Sequence, residues 1–100
     1  MQKLLYFIIF LVIFIPSQVL AGEHSCLRAY EAMTVEIENG GSAARAGDVC
    51  KAANCIEMAL NWLGTCEQEC SYDQTRMRKL STLKRQLSQL LVKYVQQCGH

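Results

Sequence analysis

Residues 77–94 read MRKLSTLKRQLSQLLVKY. Leu80, Leu83, Leu87, Leu90 and Tyr94 recur by alternating steps of three and four, which is the period of an amphipathic helix. Neither Gly nor Pro interrupts the pattern before Gly99. Upstream, Thr65 with Gln68 and Ser71 with Gln74 both have the spacing of a capping box, so the helix is expected to begin near one or the other. Residues 66–70 then read as a separate short turn between cysteines.

Two shorter helical patterns precede it. Cys26, Tyr30, Met33 and Ile37 form a single stripe over residues 25–38, opposite Arg28, Glu31, Glu36 and Glu38. Asn39-Gly40-Gly41-Ser42 predicts its end, because Asn and Gly tolerate the left-handed backbone that stops helices. A second helix is predicted over residues 48–63. Asp48 is its cap, Gly64 its stop, and Val49, Ala52, Ala53, Ile56, Leu60 and Leu63 its stripe. Trp62 lies off that stripe. Core packing is expected for it, since small bundles need large side chains; an exposed anchor for a partner is the alternative. No period-2 alternation is sustained anywhere. The expected fold is therefore all-α: a helical hairpin completed by a longer third helix.

The start of the chain reads as an address. Lys3 is the only charge before Glu23, and residues 4–15 are twelve apolar residues ending at Pro16. A spanning helix needs about 20. A short basic start, an apolar run of this length and Val19-Leu20-Ala21 describe a secretory signal peptide over residues 1–21. Residues 22–100 then form one cysteine-rich domain, expected to be secreted and extracellular.

All six cysteines, Cys26, Cys50, Cys55, Cys66, Cys70 and Cys98, fall after that site. An even count in a short secreted chain reads as a disulfide framework, so three bridges are expected. Zinc is the competing use, but there is no CxxC pair, and His24 and His100 are the only histidines. No metal or cofactor is expected.

Charge is split along the chain. Residues 22–73 hold nine acids and three bases, a net of −6, and residues 74–100 hold six bases and no acid, a net of +6. The simplest reading is intramolecular, with charges meeting at helix seams. A basic amphipathic helix also suits an acidic partner surface, a lipid or an anionic membrane. Arg76, Arg78, Lys79, Lys84 and Arg85 are the candidate partner-binding residues. Nucleic acid is not expected, because these bases are not interleaved with aromatics. The Leu80–Tyr94 seam spans too few heptads for a coiled coil, so a monomer is expected rather than a dimer. Catalysis is not expected either. The histidines sit at the ends of the mature chain, and Glu36 with Glu38, and Glu67 with Glu69, point to different sides of a helix at a two-residue spacing.

Five of the cysteines give C-x23-C-x4-C-x14-C-x27-C. The first three gaps, and the segment CKAANC over residues 50–55 followed by Ile56-Glu57-Met58, resemble elicitins, secreted helical sterol-binding proteins of oomycetes. That family's first cysteine and leading helix have no counterpart here, and Cys66 has none in the family. The resemblance implies Cys26–Cys55 and Cys50–Cys98 bridges, leaves Cys66 with Cys70, and implies an apolar lipid cavity. Packing of the third helix antiparallel to the second also permits Cys50–Cys98. The same topology could instead join Cys26 to Cys66 or to Cys70.

The leading functional expectation is a secreted, non-enzymatic polypeptide that binds an extracellular protein such as a receptor or channel, in the manner of a toxin, effector or hormone. The alternative is a small lipid or sterol carrier, with a cavity lined by Tyr30, Met33, Ile37, Ile56, Leu60 and Leu87.

Overall fold

The computed structural model describes the backbone of residues 2–99 and the side chains of residues 23–99. The signal-peptide reading of residues 1–21 falls outside the side chains described. Three helices follow one another: α1 (Gln2–Arg45), α2 (Val49–Glu69) and α3 (Gln74–Cys98). There is no strand among the described residues, so the all-α bundle stands.

The first helix does not stop at residues 39–42 as the glycines suggested. It continues to Arg45, and the turn is made by Gly47. Gly47 has φ +82°, and the bonds Asp48 N–H to Ala43 O (2.9 Å) and Gly47 N–H to Ala44 O (3.1 Å) close a Schellman motif around it. Gly40 serves a different purpose. A Cβ built there would lie 3.0 Å from Ile56 Cδ1 and 3.3 Å from Cys55 Cβ. Glycine therefore allows α1 and α2 to approach closely, and packing keeps the segment helical against its propensity.

Asp48 caps α2 as expected, its Oδ1 accepting from the Lys51 N–H at 3.1 Å. The helix then runs through Gly64 to Glu69. A mid-helix glycine costs about 1 kcal/mol relative to alanine. The burial of Cys66 and Cys70 beyond it offsets that cost, and residues 66–69 are the end of α2 rather than a separate turn. Neither Thr65 nor Ser71 caps α3. Asp73 does, its Oδ1 accepting from the Arg76 N–H at 3.2 Å, while the Ser71 hydroxyl donates to Gln68 O.

α2 is the central element and packs against both neighbours. No Cα of α1 lies within 8 Å of one in α3 among the described residues. The core runs through Cys26, Ala29 and Met33 of α1, Ile56, Ala59, Leu63 and Cys66 of α2, Cys70, and Leu80 and Leu87 of α3. Tyr30, Ile37, Leu60, Leu83, Leu90 and Tyr94 pack around it, so all three stripes face inward. Trp62 does not join them: it is 39% exposed, beside Arg28 and Ala32 of α1. Its position on α2 lies away from the core stripe, so the expectation of core packing is corrected.

Two disulfides form, Cys26–Cys70 and Cys50–Cys98. The second follows from antiparallel packing. The first departs from the Cys26–Cys55 pairing that the resemblance implied, because the Gly47 turn places Cys26 level with Cys70 and Gly40 level with Cys55. The third expected bridge does not form: Cys55 and Cys66, for which the resemblance implied Cys26 and Cys70 as partners, are left as buried free thiols. They stand eleven positions apart on α2, about 16 Å at 1.5 Å per residue, whereas a bridge needs Cα atoms within about 7 Å.

The two glycines should respond in opposite ways. Gly41→Ala meets only the tip of Arg45, at 3.6 Å, and should stabilise by about 0.5–1 kcal/mol through helix propensity. Gly40→Leu should destabilise by about 1–3 kcal/mol through overpacking. Thermal unfolding of both variants would decide this, and a stabilised Gly40→Leu would contradict the close approach.

Candidate binding groove between the first and third helices

Because α2 separates them, α1 and α3 leave a groove on one face. Its volume is about 630 Å³, lined by Leu27, Tyr30, Glu31, Thr34, Val35 and Glu38 of α1 and by Arg76 and Lys79 of α3. A continuation of about 510 Å³ shares Tyr30 and Lys79 and adds Arg78, Thr82, Leu83 and Gln86. Tyr30 is the common floor. Leu27 and Val35 stand 44% and 52% exposed along one edge. Helical spacing explains the α1 side: residues 27, 31, 34 and 38 share a face at steps of three and four.

The walls carry opposite charge. Glu31 and Glu38 stand on the α1 side, and Arg76 and Lys79 on the α3 side. Arg76 is held in place. Its Nε lies 3.4 Å from Asp73 Oδ2, and its Nη1 donates to Cys26 Sγ at 3.2 Å. Asp73 thus caps α3 and aims the first basic side chain of that helix at the disulfide.

The five basic residues singled out in the sequence do not share one face. Arg76 and Lys79 border the groove, and Arg78 lines its continuation. Arg85 is exposed, one heptad from Arg78. Lys84 is on the opposite flank, paired with Glu67 of α2 at 3.4 Å. That pair is the one ion pair across the α2–α3 seam among the described residues, so the acidic and basic halves do not neutralise each other side by side. Exposed pairs of this kind contribute at most about 1 kcal/mol.

Sequence reasoning missed the α1 wall. Leu27, Thr34 and Val35 lie off the Cys26–Ile37 stripe, and only the separation of α1 from α3 gives them a role. Asp73 was also missed, although an Asp before Gln74 is itself a cap signal. No group of three His, Cys, Asp or Glu side chains that could hold a metal occurs among the described residues. Among the described residues, no helix is long and apolar enough to cross a membrane. No protein-family model, curated protein or solved structure matches the chain.

Burial pushes the Cys66 thiol above its ordinary 9.0, with Glu67 adding to the rise and a backbone hydrogen bond opposing it. Burial likewise raises the Tyr30 phenol above 10.0; Cys66 and Asp73 reinforce this, and Arg76 opposes it. Both groups hold their protons in the folded chain at pH values where the unfolded chain has lost them. Their contribution is in place below pH 9.0 and is lost as the pH climbs past 9.0 and then 10.0. Urea unfolding between pH 7 and 10.5 should show falling stability above about pH 9. Cys66→Ala should flatten the first part of the fall and Tyr30→Phe the second.

Proposed function

We propose that this chain is a secreted, non-enzymatic polypeptide that acts by binding an extracellular protein, with the α1–α3 groove as its contact surface. Residues 1–21 would be its signal peptide and residues 22–100 the acting domain. The observation that carries the reading is the groove itself: an apolar floor between an acidic and a basic wall, on two helices each tied once to an end of α2 by a disulfide. A rigid surface avoids the ordering cost of binding.

The occupant that fits is an amphipathic segment of a partner protein. It would carry carboxylates along the edge facing Arg76 and Lys79, and amines along the edge facing Glu31 and Glu38. The α1 wall from Leu27 to Glu38 is eleven steps, about 16 Å of helix, which matches about three turns of a partner helix. A toxin-like, effector-like or hormone-like role is compatible with this contact. The lipid-carrier alternative is less well supported, because Met33, Ile56 and Leu87 are packed in the core, with Tyr30, Ile37 and Leu60 against it.

Two measurements test the reading. Native mass spectrometry of the protein purified from its source should give residues 22–100 less four hydrogens, for the two disulfides, with no adduct. An accompanying apolar small molecule would move the carrier ahead. In saturable binding of labelled protein to responding cells, Lys79→Glu and Glu31→Lys should each weaken affinity about tenfold, some 1.4 kcal/mol. Arg85→Gln should change it little. Equal effects from all three variants would sink the groove as the contact.

A further inference from the structure

Three cysteines meet at one corner of the core. Cys26, Cys66 and Cys70 are all fully buried in the same cluster. Cys26 and Cys70 are bonded, and Cys66 is a free thiol. Cys66 and Cys70 are one turn apart. In a regular helix such a pair has Cβ atoms about 5–6 Å apart, and here both side chains are buried in the cluster that holds the bridge.

The two sulfurs of the bridge are not equivalent. Arg76 Nη1 donates to Cys26 Sγ at 3.2 Å, so negative charge on Cys26 would be met by a guanidinium. Cys70 is the C-terminal cap of α2, its N–H bonded to Cys66 O. The negative end of the helix disfavours a thiolate there. A disulfide under attack breaks toward the sulfur that better carries the charge.

We propose that Cys66 is an internal exchange thiol that attacks Cys70 Sγ and releases Cys26. Cys66 first gives its proton to hydroxide. Its sulfur then bonds to Cys70 Sγ as the old sulfur–sulfur bond breaks, and that electron pair leaves on Cys26. The Cys26 thiolate is held by Arg76 until it takes a proton from water. One disulfide and one thiol enter the step and the same leave it, so no oxidant or reductant is required.

The new bridge needs Cβ atoms about 3.5–4.5 Å apart, so the last turn of α2 must tighten. Cys70 can move, since it already sits outside the regular helix at φ −103°, ψ 13°. The result is mechanical. Releasing Cys26 unties α1 from the α2–α3 corner, where Leu27 and Arg76 border the groove. The exchange therefore controls whether that end of the groove is pinned. Burial raises the Cys66 thiol and so slows its attack near neutrality. The exchange does not depend on what the groove binds, and its test needs no partner.

The test is iodoacetamide labelling of the folded, oxidised protein at pH 7 and pH 9, with acid quench and peptide mapping without reduction. Cys26 should become labelled together with a new Cys66–Cys70 bridge, about tenfold faster per pH unit while the thiolate is scarce. Labels should stay at two per chain, matching the two free thiols. Cys66→Ala, with helicity confirmed by circular dichroism, should abolish Cys26 labelling. Arg76→Gln, which keeps all six cysteines, should slow it roughly threefold or more by making Cys26 a poorer leaving group. Labels confined to Cys55 and Cys66 at both pH values would overturn the proposal. So would Cys26 labelling that persists in Cys66→Ala, or a label on Cys70 in place of Cys26.

Discussion

The register set by the turn at residues 46–48 governs the rest of the molecule. Gly47 closes α1 in a left-handed conformation, and Asp48 opens α2 one residue later. From that point the two helices run antiparallel, and each position of α1 has a fixed opposite on α2. Gly40 meets Cys55 and Ile56, and farther along Cys26 meets Cys70. The disulfide follows from the register, and so does the isolation of Cys55. A turn one residue longer would rotate the cysteines out of reach. Each bridge links residues 44 and 48 positions apart, a loop length for which chain entropy gives about 4 kcal/mol. A domain of this size buries too little core to stand easily without such ties.

Having α2 in the middle has a second consequence. In a closed three-helix bundle each helix touches the other two, and an acidic first helix would rest directly on a basic third one. Here, among the described residues, that contact is missing at the backbone level. Tyr30, Arg76 and Cys26 span the gap by side chains at one end, where the Cys26–Cys70 disulfide ties the middle of α1 to the end of α2. The geometry that makes the groove is the geometry that stops the charges from meeting.

Much of this was legible in the sequence, for physical reasons that can be named. The stripes of α1, α2 and α3 were read correctly because burial imposes a 3.6-residue period on apolar side chains. Asp48 was read as a cap because its carboxylate has a local task. Cys50–Cys98 was implied by the resemblance and also permitted by antiparallel packing. The failures share one cause. Gly40, Gly41 and Gly64 look like stops locally, yet the helices run through them, and Gly40 lies against Cys55 and Ile56 of α2. The short-range pattern cannot distinguish a glycine that ends a helix from one that lets another helix approach. Trp62 shows the same limit in reverse, since size alone suggested burial while its angular position on α2 leaves it partly exposed. The groove was beyond the sequence for a further reason: its α1 wall lies off the apolar stripe of that helix. It matters only because α3 stands apart from α1.

The charge split can now be weighed as a design. Opposite charges on adjacent packed helices would be worth a few tenths of a kcal/mol per exposed pair, and less in salt. Among the described residues, one cross-seam pair, Lys84–Glu67, and the local Arg76–Asp73 pair form. Glu31, Glu38 and Lys79 are exposed side chains on the facing walls of the groove. In water and salt they attract each other weakly. A ligand that fills the groove and excludes the water between them would meet both sets at short range and lower dielectric, where each contact counts for more. Among the described residues, Glu31, Glu38 and Lys79 are left unpaired by the helix geometry itself, which is why the split adds so little to the stability of the fold.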